Sequence, residues 1–289
     1  MSGYPVFMLR QMLTKLEQAR SLDGVSDKVQ GAVQAIARSR GLRDLLHGVW
    51  LGHPLHPALV QLQVGAFGSA AVLDLLPGGR RAATTLITVG VASAPAAAAT
   101  GLLDWSEMTR DRRRVGLIHA TANTVALGLY AASAVARFSG RPGRALAFAG
   151  LSVAGAGAYL GGHLSYAQGG GMNQAAPEIS QLSEDWTPVG SLAELPDGKP
   201  TVRKVGDVSV LVYRTGSQVT VMVERCAHET GPLGEGTVVG SGVDACVVCP
   251  WHGSTYRLID GLVVHGPAAN DQPLLRTRIR DSMVEVSAP

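Results

Sequence analysis

Four long apolar runs, at about 57–76, 82–103, 115–136 and 144–166, limit what this chain can fold into more than any other feature. Each approaches the roughly 20 residues a helix needs to cross the hydrocarbon core of a bilayer. Charged side chains gather at the joints between the runs, as expected of membrane spans and not of a soluble Ala-rich bundle. The first run carries Gln61 and Gln63, and the second carries Pro95, which is expected to bend a packed membrane helix without breaking it. Ala, Gly, Ser and Thr recur throughout, which suits helices that approach closely. Ahead of the runs, Val29, Val33, Ile36 and Ala37 repeat at helical spacing among Lys28, Arg38 and Arg40. Residues 1–52 therefore read as an amphipathic arm, either folded on the protein or lying in the membrane interface. The first residues lack the charged-then-apolar pattern and small-residue cleavage site of a secretory signal.

The chain is 46% hydrophobic overall, an average over two unlike halves. Residues 185–289 alternate apolar and polar and hold nine basic against twelve acidic side chains, whereas the residues before them hold sixteen against ten. A basic, apolar half of this kind fits a protein facing anionic lipid. No Lys/Arg cluster with interleaved aromatics points to nucleic acid. Gly169, Gly170, Gly171, Asn173, Gln174 and Pro177 mark residues 167–184 as a flexible linker. Beyond it, runs such as 208–213 and 219–223, separated by Gly-containing turns, predict a small all-β domain. The expected order is an arm (1–52), a four-span α-helical membrane domain (53–166), a linker (167–184) and a β domain (185–289).

Within the β domain, Cys226-Ala227-His228 and Cys249-Pro250-Trp251-His252 each supply one thiol and one imidazole. A 2Fe-2S centre with two thiolates on one iron and two imidazoles on the other needs this set, and the imidazoles raise its potential. Four such ligands could also hold zinc. Further matches are Gly231-Pro232-Leu233 and Glu235-Gly236 after the first pair, Gly253, Ser254 and Tyr256 after the second, and Gly266-Pro267-Ala268. With these, residues 186–287 resemble the Rieske family. The resemblance implies that Cys226, His228, Cys249 and His252 are the metal ligands and that the 266–268 segment is the proline loop covering the cluster. It also implies that Ser254 and Tyr256 donate hydrogen bonds to sulfur and raise the potential; the plainer alternative is that each faces solvent. The gap between the ligand pairs is longer than usual in the family, which predicts a longer hairpin around 238–243. The respiratory branch adds one cysteine to each ligand loop, where this chain has Gly231 or its neighbours and Trp251, so it looks more like the ferredoxin and oxygenase branch. Three cysteines make no disulfide framework, and Cys246 reads as a small apolar strand residue.

The apolar half has its own motifs. These are Gly52-His53-Pro54-Leu55-His56-Pro57, Leu73-Asp74, Gly101-Leu102-Leu103-Asp104-Trp105, His119 with Asn123, and Gly161-Gly162-His163. With them, residues 35–170 resemble an uncharacterised bacterial family of four-helix membrane domains. Four antiparallel spans would bring His53, His56, Asp104, His119 and His163 to one membrane side, the side from which the β domain leaves. Imidazoles there could bind b-type haem, another metal ion or a quinone headgroup, or could hydrogen-bond backbone at helix ends. His56, His119 and His163 are expected to form one site. Seven arginines (Arg38, Arg40, Arg43, Arg110, Arg112, Arg113, Arg114) flank the histidine side and five (Arg80, Arg81, Arg137, Arg141, Arg144) the other. The excess points the β domain to the cytoplasm of a bacterial inner membrane.

These features together predict a membrane-anchored iron–sulfur protein that carries one electron at a time. It reads as a component of an oxidoreductase system, with a soluble or membrane redox partner, and a homo-oligomer is compatible with it. The alternatives are a quinol- or haem-linked oxidoreductase using the bundle histidines, and a redox sensor or scaffold with a structural cluster.

Overall fold

A computed structural model describes residues 4–289, with side chains from residue 8 onward. The helices are α1 (Tyr4–Glu17), α2 (Asp23–Ile36), α3 (Arg40–His47), α4 (Leu55–Leu75), α5 (Arg80–Ser106), α6 (Arg110–Phe138), α7 (Arg144–Gly162) and the short α8 (Ala176–Ile179). The chain divides into two units, one formed by the segment up to Arg38 with Leu55–Gly170, the other by Ser39–Pro54 with Gly171–Pro289. The arm expected as one piece over 1–52 is thus split between units. Its first part folds back on α6 because its carboxylates meet arginines there. Asp27 pairs with Arg113 at 2.8 Å and Arg110 at 3.1 Å, and Asp23 takes Arg114 at 2.7 Å.

Four helices are long and apolar enough to cross a membrane: α4, α5, α6, and α7 with the π-helical turn that extends it to Ala167. Pro95 lies inside α5, which continues to Ser106. Gln63 reaches across the α4–α5 interface, its Nε2 donating to Ser93 Oγ at 3.1 Å. The bundle is built from two hairpins, α4 packed along α5 and α6 along α7, and the second repeats the contacts of the first. His56 on α4 hydrogen-bonds the Ala97 carbonyl of α5 with its ring over Gly101; His119 on α6 bonds the Gly157 carbonyl of α7 with its ring over Gly161. The Phe67 ring fills the space above Gly90, and the Tyr130 ring that above Gly150. Equivalent residues then meet where the hairpins join. Phe67 stacks on Tyr130 with centroids 3.7 Å apart, and Asp74 pairs with Arg137, 63 residues further on.

The other unit carries β1 (Thr187–Ser191), β2 (Thr201–Val205), β3 (Val208–Thr215), β4 (Gln218–Val223), β5 (Thr237–Val239), β6 (Cys246–Val248), β7 (Thr255–Arg257), β8 (Val263–His265), β9 (Arg276–Arg280) and β10 (Met283–Ser287). They form three antiparallel sheets in the orders β1-β10-β9, β2-β3-β4 and β5-β6-β7-β8. Val210, Leu211, Val221, Met222, Val247 and Leu258 are among the fully buried side chains at its centre. The segment expected as a flexible linker over 167–184 is largely ordered against this core. Gln174 N donates to the Ala227 carbonyl at 2.8 Å, Ala175 is fully buried, and Ile179 and Leu182 pack on the core. Glu178 pairs with Arg225 at 2.9 Å. Apolar residues dispersed among Gly and Pro give no periodic signal, so composition alone reads this stretch as free chain.

Candidate iron–sulfur site

The first ligand loop follows β4, and the second joins β6 to β7. Both close by the same pair of backbone bonds. Cys226 N donates to the Gly231 carbonyl and Thr230 N to the Cys226 carbonyl; Cys249 N donates to the Ser254 carbonyl and Gly253 N to the Cys249 carbonyl. In each loop the residue four beyond the cysteine turns into the left-handed region, Thr230 with φ of 61° and Gly253 with φ of 78°. The two loops thereby present their side chains to a common point. Cys226 and Cys249 are buried, at 1% and 3% exposure. His228 and His252 are half-buried, their rings 5.1 Å apart and nearly perpendicular. The sulfurs lie together, Cys226 donating to Cys249; sharing one proton pushes the Cys226 thiol up and holds Cys249 down to about 6. A Cβ at Gly231 would come within 2.7 Å of Cys249 Sγ, so only glycine allows the loops this approach.

This donor set fits a 2Fe-2S group. Thiols gather at the inner end and imidazoles at the outer end, two and two. Among the described residues no three His, Cys, Asp or Glu side chains converge on a point that could hold a single metal ion. A binuclear centre with two protein ligands per iron suits that division, whereas four-coordinate zinc needs the ligands around one point.

Polar side chains support the two ligand loops. The Tyr256 hydroxyl is 3.2 Å from Cys226 Sγ, and burial with the neighbouring thiols raises its pKa well above the usual range, so it keeps its proton. Ser254 is fully buried. Its Oγ accepts from Ala268 N at 3.0 Å. Neither hydroxyl faces solvent. Gln272, which the sequence pattern did not single out, holds the first ligand loop. Its Oε1 accepts from Ala227 N at 2.9 Å, and its Nε2 donates to the Val223 and Arg225 carbonyls at 2.7 Å. Cys246, half-buried in β6, donates to the Asp244 carbonyl.

The family model of the Rieske [2Fe-2S] domain matches residues 185–278. A relative, the anthranilate 1,2-dioxygenase ferredoxin subunit of Burkholderia cepacia, is 30% identical over 103 residues, 36% of this chain and 92% of the relative. The chain belongs to the Rieske family. Its Rieske domain is also 24% identical over 107 residues to the ferredoxin CarAc of Metapseudomonas resinovorans, 37% of this chain and 96% of that protein. Among solved structures, the ferredoxin of carbazole 1,9a-dioxygenase from Nocardioides aromaticivorans IC177 is 21% identical, covering 36% of this chain and 98% of its own, with a TM-score of 0.33. Residues 52–174 match a second model, a predicted membrane protein domain of the family DUF2231. The protein is thus an electron-transfer Rieske protein of the 2Fe-2S class, joined to a membrane domain.

The membrane residues are arranged differently from the expected common site. His56 and His119 each place Nδ1 on a backbone carbonyl, at 2.8 and 2.7 Å. The Asn123 amide sits over the His119 ring, 3.2–3.3 Å from both its nitrogens. His163 is engaged elsewhere. Its Nε2 meets Glu17 Oε1 at 2.8 Å, and Gln168 donates to the same oxygen at 3.0 Å. His53 belongs to the other unit and bonds the carbonyl of its neighbour Pro54 at 3.0 Å. Asp104 is half-buried near the end of α5. The expected triad of His56, His119 and His163 is therefore not formed, because the arm supplies His163 with a carboxylate partner that spacing along the spans does not reveal.

Proposed function

We propose that the protein is a membrane-anchored one-electron carrier in which Cys226 and Cys249 hold one iron, and His228 and His252 the other. The observation that carries this reading is the split of the ligand set, with sulfurs buried and imidazoles at the outer end of the same site. The bound cluster supplies reversible one-electron chemistry at a raised potential. The chain's own part is to exclude water from the sulfurs, donate from Tyr256 and leave the imidazole end open to a partner. A soluble oxidoreductase is the partner proposed, and the four candidate spans would hold the carrier in a bacterial inner membrane with the Rieske domain in the cytoplasm. Reduced protein is expected to give an electron paramagnetic resonance signal with an average g below that of an all-cysteine 2Fe-2S centre. His228→Ala and His252→Ala should each abolish it. Stoichiometric zinc without iron in the purified protein would overturn the assignment.

The Nδ1 bonds of His56 and His119 favour a second reading for the bundle. Donating Nδ1–H to a carbonyl leaves the His56 Nε2 lone pair for a ligand, as in most metal-bound histidines, and His119 would serve likewise once the Asn123 amide, 3.2 Å from its Nε2, turns aside. On this reading the pair holds a b-type haem that exchanges electrons with the Rieske domain. Purified protein should then show a Soret band that His56→Ala or His119→Ala removes while the 2Fe-2S signal stays. Absence of the band from protein produced with ample haem would leave the carrier reading alone.

A further inference from the structure

The segment 39–54 lies far from the Rieske domain in sequence, yet it belongs to the same structural unit. Its helix α3 starts at Ser39, whose Oγ accepts from Leu42 N, and stops at Gly48, where φ is 85°. Asp44 and His47, three residues apart, share one face of that helix. That face meets the loop after β8. Asp44 Oδ2 takes His265 Nδ1 at 2.8 Å, and Asp44 Oδ1 accepts from Gly266 N at 2.9 Å. His47, 1% exposed, lies against Gly266, where an added Cβ would come within 3.1 Å of its ring.

The loop is held at three points. Asp44 holds its start, Ser254 accepts from Ala268 N in its middle, and Gln272 at its end binds Ala227 of the first ligand loop. Its middle thus bonds Ser254, two residues from Tyr256, whose hydroxyl is 3.2 Å from Cys226 Sγ. We infer that Asp44 is a positioning residue for the iron–sulfur centre, acting through the 265–268 loop on the hydroxyls that donate to sulfur. This rests on the proposed ligand set. A carboxylate accepting from a backbone N–H makes a strong, charge-assisted bond. Its loss frees the loop, and with it the orientation of Ser254.

The test uses the full chain with its cluster loaded. In Asp44→Ala, the Gly266 amide should exchange with solvent at least about tenfold faster, the scale of one charge-assisted hydrogen bond. The midpoint potential should fall in the same direction as in Ser254→Ala, with iron content and average g retained. Asp44→Asn keeps an acceptor for Gly266 N–H and should restore most of the potential. If Asp44→Ala does not fold, His265→Ala removes one of the two bonds and should give a smaller fall. A simple charge effect would raise the potential in both Asp44 variants, because removing a negative charge favours the reduced state. That rise, or an unchanged potential in Asp44→Ala and His265→Ala, would overturn the inference. Failure of the ligand set itself reads out separately, as loss of the low-g signal from the unsubstituted protein, with the Gly266 exchange still measurable.

Discussion

Tyr256 and Ser254 place two buried hydroxyls beside the ligand loops. Ala268 N–H donates to Ser254, and Tyr256 stands 3.2 Å from Cys226 Sγ. A reduced cluster carries one more negative charge, so hydrogen bonds to its sulfurs strengthen on reduction and raise the potential. Tyr256→Phe removes the donor at Cys226, and Ser254→Ala removes the second hydroxyl, which the Rieske resemblance makes a donor to sulfur. Each should lower the midpoint potential. A hydrogen bond to a charged group contributes roughly 1.5–3 kcal/mol at most, so shifts of about some tens of millivolts are expected in a spectroscopically monitored titration. Equal potentials in both variants and the unsubstituted protein would mean that neither hydroxyl donates to the cluster. Both residues were readable from their places after His252. Gln272 was not, because one glutamine in a loop carries no periodic or motif signal and its three partners come from a distant part of the chain.

Among the helices, the Asp74–Arg137 pair joins the two hairpins of the bundle. The side chains are 4% and 2% exposed, and Arg137 also donates to Ser133 Oγ at 3.1 Å. Removing one partner leaves the other charge buried and uncompensated, which costs about 3–5 kcal/mol. Asp74→Ala should therefore lower the melting temperature in detergent markedly. The double change Asp74→Leu with Arg137→Met should recover much of the loss, since apolar replacement of a buried pair is often neutral. A double variant no more stable than Asp74→Ala would show that the pair contributes through geometry and not through charge compensation. The repeat behind this contact has a sequence trace that was passed over. His56 and His119, Phe67 and Tyr130, and Asp74 and Arg137 all stand at the one spacing of 63 residues. Beyond the histidines, identity at that spacing between α4 and α6 is confined to small or common apolar residues such as Gly65 and Gly128, Ala71 and Ala134, and Val72 and Val135, so the repeat stands out only once the contacts are known.

For the whole molecule, the proposed orientation puts the histidine ends of the spans and the Rieske domain in the cytoplasm. Arg110, Arg113 and Arg114 on that side are paired with Asp23 and Asp27. The positive-inside rule counts basic residues and gives acidic ones little weight, so the excess of arginine stands. Protease added to inside-out vesicles should then digest the Rieske domain, whereas spheroplasts should protect it. Digestion in intact spheroplasts would reverse the orientation. The chain crosses between units at 38/39, 54/55 and 170/171, so three connections join the cluster unit to the membrane unit where one linker was expected. Residues 174–182 pack on the Rieske core and do not form a free connector.

The apolar runs and the two ligand loops were legible without any structure. A span declares itself by about 20 consecutive apolar residues, and a ligand loop by a few adjacent residues whose chemistry is local. The β domain was equally plain from alternation and turns. The tertiary structure alone decided which distant segments share a unit. It assigned 39–54 to the Rieske domain through Asp44 and His265, 221 residues apart, and gave His163 to Glu17, 146 residues away. Such pairings depend on where the folded chain brings side chains, and a single carboxylate on an amphipathic helix carries no mark of its partner. Periodicity and spacing report a residue's neighbours along the chain; burial and hydrogen bonding across it are set by packing.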